Sequence, residues 1–235
     1  MAPRVRIRVP SRSALRLVGD PILSQASRAL APGEVLPPSL LRRMRKCLTS
    51  EGAAEAISAV QVGEPVRAIM IAKADDASAP PRLLLNPRIV KQSKRREADW
   101  ESCLSVPDYC GLVLRAHRVM AAYETAEGET VERNLSGYAY TSRFHRGTHQ
   151  LMRLTWRGRF AARVFQHEVD HLDGIVFTEK ALPRSLGHLS SLATPARRDA
   201  LRKEVLRDLP NADLSEAERE VWDTVSLWEC VGPRQ

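Results

Sequence analysis

Gln166-His167-Glu168-Val169-Asp170-His171-Leu172-Asp173-Gly174 decides how the chain reads. It closes a run, Phe160–Leu172, with the length and apolar spacing of a buried helix, and Gly174 stands at the C-cap position. Residues four apart share one helix face, so His167 and His171 can grip one metal ion while Glu168 flanks it. The neighbours Val164, Phe165 and Leu172 are apolar, which places that face inside the protein. Burying two imidazoles among carboxylates without a partner costs several kcal/mol, roughly, so a metal ion is the expected occupant. Two histidines are an incomplete donor set. Downstream, Glu179 and His188 are candidates for a third ligand, but neither has the HExxHxxGxxH spacing.

Outward from this helix, Val66–Ala72 and Leu83–Asn86 read as strands, the second stopped by Pro87. His117–Tyr123 and Thr130–Leu135 read as a hairpin around Glu127-Gly128. Leu40–Leu48 has helical spacing, Thr194-Pro195 starts a charged helix running to Leu209, and Asp213–Trp228 is a further helix candidate. Strands first and a helix inserted late predict an α+β domain with a helical C-terminal extension. The expected divisions are a basic segment over 1–16, a catalytic domain over 17–180 with an insertion at 138–159, and the extension over 181–235.

Hydrophobic residues make up 43% of the 235 and charged residues 27%, an ordinary globular balance. A chain this long buries about 70% of its unfolded surface, so a metal is not needed merely to hold the core. No apolar run approaches the ~18 residues of a membrane-spanning helix. Cys47, Cys103, Cys110 and Cys230 show no CxxC pairing, which favours a reducing compartment over a disulfide scaffold. The net charge of +8 favours anionic neighbours. Residues 1–19 hold five arginines and no acid, a composition that reads either as a mitochondrial transit segment or as a basic terminus. Arg133–Gln166 has seven arginines and no acid, the composition of an exposed basic loop or a phosphate-facing surface.

Two upstream stretches complete the picture: Ala56-Ile57-Ser58-Ala59-Val60-Gln61-Val62-Gly63 and Glu101-Ser102-Cys103-Leu104-Ser105. With Gln166–Gly174, and in this order, they resemble the three signatures of the peptide deformylases, G-x-G-[apolar]-A-A-x-Q, E-G-C-L-S and Q-H-E-x-D-H-L-x-G. The third signature is matched at every fixed position. Val18-Gly19-Asp20-Pro21, Leu85-Asn86-Pro87 and Val113-Leu114-Arg115 fall where such enzymes have related sequences, so the resemblance spans roughly Leu17 to Phe177.

The resemblance implies antiparallel or mixed sheets packed around a central HExxH helix. It implies Cys103, His167 and His171 as ligands of one divalent metal, iron(II) in the cell, with zinc, nickel or cobalt accepted. A thiolate and two imidazoles leave a fourth tetrahedral position open. Glu168 is then the general base and acid, and the Gln61 amide with the Leu104 backbone N–H supplies the oxyanion donors. Ala56, Arg115 and Glu101 are implied at the substrate, with Glu101 able to bond the first motif or pair with Arg115. The implied activity is hydrolysis of a linear amide, removing the N-formyl group from the initiator methionine of nascent polypeptides. Ala54 and Ala56 replace the glycines of the first signature, Glu55 stands between them where an apolar residue is usual, and Ser102 replaces the glycine of the second. These departures leave a second reading, a deformylase-like metallohydrolase with shifted substrate preference. A third is a non-catalytic basic protein associated with the ribosome or its RNA. A deformylase meets nascent chains at the ribosome, so the insertion or the helix around Arg197, Arg198, Arg202 and Lys203 is expected to contact ribosomal RNA. The expected compartment is the mitochondrion, with the bacterial cytoplasm as the alternative.

Overall fold

The computed structural model describes residues 15–50, 55–72, 81–136 and 161–207. In chain order the elements are α1 (Pro38–Ser50), β1 (Ala56–Ser58), β2 (Ala68–Ile71), β3 (Arg82–Gln92), β4 (Arg96–Cys103), β5 (Val106–Ala116), β6 (Arg118–Glu124) and β7 (Thr130–Ser136). They are followed by α2 (Ala161–Leu172), α3 (Phe177–Lys180), β8 (Gly187–His188) and α4 (Pro195–Arg207). Two antiparallel sheets form, one in the order β1-β2-β3-β6-β7 and one in the order β4-β5-β8.

The helix α2 joins the two sheets, and its sequence explains why. Ala162, Phe165, Val169 and Leu172 recur at helical spacing and pack with Ile69, Ile71, Leu84, Val119, Ala121 and Tyr123 of the larger sheet. The other side carries Arg163, Gln166, His167, Asp170 and His171, which face the smaller sheet through hydrogen bonds and ion pairs. Gln166 imitates a backbone unit: its side chain accepts from the Ala116 N–H at 3.0 Å and donates to the Ala116 carbonyl at 2.9 Å. Truncating a core aromatic such as Phe165 costs about 3–5 kcal/mol, so the apolar side anchors the helix and frees its polar side for chemistry. Gly174 ends the turn after α2 at φ 78°, and a Cβ there would lie 2.9–3.0 Å from the backbone of Ser24 and Gln25. Only glycine fits.

The expected α+β architecture and the antiparallel sheets are present, as is the β6–β7 hairpin, in which Glu124 pairs with Thr130 across a turn with Gly128 at φ 87°. Pro87 does not stop its strand. β3 runs through it because Asn86 adopts φ 46° and the register shifts between Leu85 and Arg88, so the missing N–H falls at a bulge. The β4–β5 hairpin, unread in the sequence, has charged residues on its inward face and so lacks the usual apolar alternation. Beyond Ala181 the chain is not purely helical, since β8 adds to the smaller sheet beside Tyr109 and Cys110. The insertion at 138–159, the segment 1–14, Ala54 and the helix candidate Asp213–Trp228 lie outside the described residues. No described helix is long and apolar enough to cross a membrane.

Candidate metal centre

Cys103 is the last residue of β4, at a tight turn formed by Leu104 and Ser105. The register jumps there: one step on β4, Ser102 to Cys103, matches four on β5, from Cys110 back to Val106. The resulting bulge turns the thiol toward α2. Ligand atoms of Cys103, His167 and His171 all lie within 4.8 Å of one another, and the Cys103 Sγ is 3.2 Å from His171 Nε2. The two imidazoles sit edge to face at 4.9 Å, and Phe177 stacks on His167 at 6.2 Å. Among the described residues this is the only group of three such donors close enough to share an ion.

The donor set fits a metal. His167 Nδ1 lies 2.9 Å from Glu101 Oε2, which fixes the N–H on Nδ1 and leaves the Nε2 lone pair for an ion. Burial lowers the His167 pKa, but hydrogen bonds to the Cys103 sulfur and the Glu101 carboxylate, with their charges, outweigh it and hold the imidazole well above its usual value. Burial and the positive His167 and Arg115 push His171 the other way, so it is neutral. A cation at the sulfur answers both demands by replacing the His167 proton.

Glu101 is the hub behind the ligands. Its Oε1 accepts from Arg115 Nε at 2.9 Å and Arg163 Nη1 at 2.7 Å, while Oε2 accepts from Arg115 Nη2 and His167 at 2.9 Å each. Burial would raise this carboxyl, yet these partners hold it well below the usual range. Arg115 also bonds Asp170, which is shared with Lys180. The expected alternative in which Glu101 pairs with Arg115 is present, and it is the substrate roles of the two that are corrected. Both are buried, with their polar atoms turned onto each other and His167, so they brace the ligand instead of reaching a cleft. Ala56 is likewise packed in the core with Ile71 and Phe165, so its methyl points into the protein.

Glu168 is buried, and its carboxyl is raised by that burial against the opposing pull of the His167 charge and a hydrogen bond from Ser58. Ser58 Oγ lies 2.6 Å from Glu168 Oε2 and 3.0 Å from the Glu168 carbonyl. Gln61 sits on the far side: its Oε1 accepts from the Ser58 N–H at 2.9 Å, which aims Nε2 at Ser105 Oγ (3.1 Å) and Cys103 Sγ (3.4 Å). The N-terminal segment ties the first two motifs together, with Arg16 N–H on the Gln61 carbonyl and Val18 N–H on the Ser105 carbonyl, both at 2.7 Å.

Two residues escaped the sequence reading. Arg163 is the last arginine of the acid-free segment, and it is buried, donating to Glu101 and to the Val113 and Glu97 carbonyls instead of facing phosphate. Its position one helical turn before His167 was the available signal. Ser58 was the other, readable as a hydroxyl where the first signature has alanine. On α4, Arg197 and Arg198 donate to the carbonyls of Ser191 and Leu192 in the segment that leads into the helix, and Arg202 reaches the Ala98 carbonyl on β4, docking the helix on the smaller sheet.

A helix-borne His-Glu-x-x-His with an upstream cysteine, set between two antiparallel sheets, defines the class: an α+β protein with a Cys-His-His group that could hold a metal ion and an adjacent carboxylate. A family model described as polypeptide deformylase matches residues 13–186, and the chain belongs to that family. The peptide deformylase of Pseudothermotoga lettingae is 29% identical over 206 residues, covering 86% of this chain and 96% of that one. That of Mesorhizobium japonicum is 30% identical over 171 residues, covering 70% and 81%. Among solved structures, the peptide deformylase from Thermotoga maritima superposes with a TM-score of 0.56 at 27% identity, covering 72% of this chain and 97% of that one. The Met-Ala-Ser-bound class I type b peptide deformylase from Acinetobacter baumannii gives 0.55 at 29%, covering 71% and 96%.

Proposed function

We propose that this chain is a metal-dependent peptide deformylase that hydrolyses the N-formyl group from the initiator methionine of nascent polypeptides. The carrying observation is the buried Glu168 carboxylate beside a Cys103-His167-His171 donor set, with the Gln61 amide aimed at the cysteine. Cys103, His167 and His171 would hold a divalent ion, which would supply Lewis acidity and acidify the attacking water. Glu168 accepts a proton from the attacking water as oxygen adds to the formyl carbon, and returns it to the amide nitrogen as the C–N bond breaks. Formate and the free α-amine leave. Gln61 Nε2 and the Leu104 N–H, at the turn beside Cys103, donate to the oxyanion that forms on the formyl oxygen. β1 is the edge of the larger sheet, so an extended peptide can lie along it as an added strand.

Iron(II) is the proposed ion in the cell, a choice that rests on the resemblance to the family, because thiolate and imidazole donors accept zinc as well. Ribosomal contact through basic segments and delivery to a mitochondrion are proposed with it. The net charge of +8 supports the first and the arginines of residues 1–19 the second. Glu55 favours a shifted side-chain preference as a second reading, because burial raises this carboxyl to about 7 next to β1. Formate release from formyl-Met-Ala-Ser tests the main reading. The metal-loaded protein should turn over, and Glu168→Ala should lose at least ~10²-fold. A metal-loaded wild type that releases no formate refutes it.

A further inference from the structure

Ser58 touches both halves of the proposed machinery. Its main-chain N–H holds Gln61 Oε1 at 2.9 Å, and its side-chain Oγ holds Glu168 Oε2 at 2.6 Å. Any residue can supply the first bond, because every residue but proline carries that N–H. The second needs a hydroxyl, and the signature matched by this stretch has alanine there. Ser58 is fully buried on β1, so no solvent competes for the bond.

The geometry around that hydroxyl is closed. Oγ also lies 3.0 Å from the Glu168 main-chain carbonyl, but the hydroxyl has one proton to donate, and the shorter, charge-assisted contact is the one to the carboxylate. A glutamate side chain has three rotatable bonds and, when buried without a partner, would sample several rotamers. Anchoring Oε2 leaves Oε1 as the oxygen that can turn to the donor set. The strand β1 is itself fixed by its register to β2, in which Ser58 pairs with Ile69, and Ile69 belongs to the core beneath α2. The anchor is therefore rigid on both sides.

We propose that Ser58 is a positioning residue for the reaction, orienting the Glu168 carboxylate through its hydroxyl while its backbone orients Gln61. This rests on the deformylase reading of the site. The role belongs to the hydroxyl of this chain and not to the strand, so removing the oxygen separates the two bonds.

Ser58→Ala leaves the N–H on Gln61 in place and deletes only the bond to Glu168, in a side chain small enough for the same cavity. The experiment measures kcat and KM for formyl-Met-Ala-Ser, metal content and melting temperature for metal-loaded wild type and Ser58→Ala. The expected result is a kcat lowered about tenfold or more, the scale of one lost hydrogen bond to a charged group, with KM, metal content and melting temperature unchanged. An unchanged kcat overturns the proposal. So does a lower kcat that tracks a loss of metal or of melting temperature, which would make Ser58 a packing residue. An inactive wild type would instead mark failure of the deformylase reading, and Ser58→Ala is judged only against an active one.

Discussion

Glu101→Gln is the most informative single change, because one carboxylate carries four hydrogen bonds from three partners. Whichever oxygen becomes the NH2 group, two donors then face a donor: Arg115 Nη2 and His167 in one orientation, Arg115 Nε and Arg163 in the other. The buried guanidiniums of Arg115 and Arg163 also lose the negative charge between them, leaving Asp170 to answer Arg115. Breaking a buried ion pair in this way costs about 3–5 kcal/mol. Whole-domain stability is only about 5–15 kcal/mol. Urea unfolding at pH 7 should therefore show Glu101→Gln destabilised by roughly that amount. His167 loses its orienting acceptor, so metal affinity should drop about 10–100-fold in the fraction that stays folded. The acid dependence follows from the sign of the shift. Glu101 is held well below the ordinary carboxylate range, so its stabilisation is complete above the unfolded value and is lost as the pH falls through the depressed one. The gap between wild type and variant should thus be full at neutral pH, begin to shrink once the pH falls below the ordinary carboxylate range, and close below the depressed value. A difference under about 1 kcal/mol at pH 7, with unchanged metal affinity, would refute the account of the buried charge cluster.

Cys103→Ala, His167→Ala and His171→Ala should each abolish stoichiometric metal binding, and equal metal content in all three would dismantle the donor set. Gln61→Leu should lower kcat about 10²–10³-fold with metal retained, the loss expected for one oxyanion donor; an unaltered kcat would assign the amide to structure alone. Glu55 keeps a proton up to about 7 in the folded chain, so stability declines as the pH rises from the ordinary carboxylate range to that value. Glu55→Gln should therefore be more stable than wild type at pH 8, by about 2 kcal/mol after allowance for partial exposure, and match it near pH 4. Parallel melting curves across that range would contradict the burial of this carboxyl.

The chemistry-bearing residues were legible in the sequence because a helix converts spacing into geometry locally. His167 and His171 at i and i+4 share a face by helical period alone, and Gly174 marks the end of that helix through its own backbone freedom. The third donor, Cys103, could be reached only through resemblance, since 64 positions separate it from His167 and no local rule relates them. Tertiary structure decided what the flanking charges do. Arg115, Arg163 and Glu101 read as surface or substrate groups when taken singly, because charged residues are almost never buried unless paired. Their pairing is non-local: it depends on β4 and β5 lying against the polar side of α2, with a register jump at Cys103 that no alternation of apolar residues announces. The same holds for Ser58, whose neighbour along the chain is Ile57 and whose partner in space is Glu168, 110 residues away. Periodicity reports which face a side chain occupies; what stands opposite that face is set by how the sheets pack.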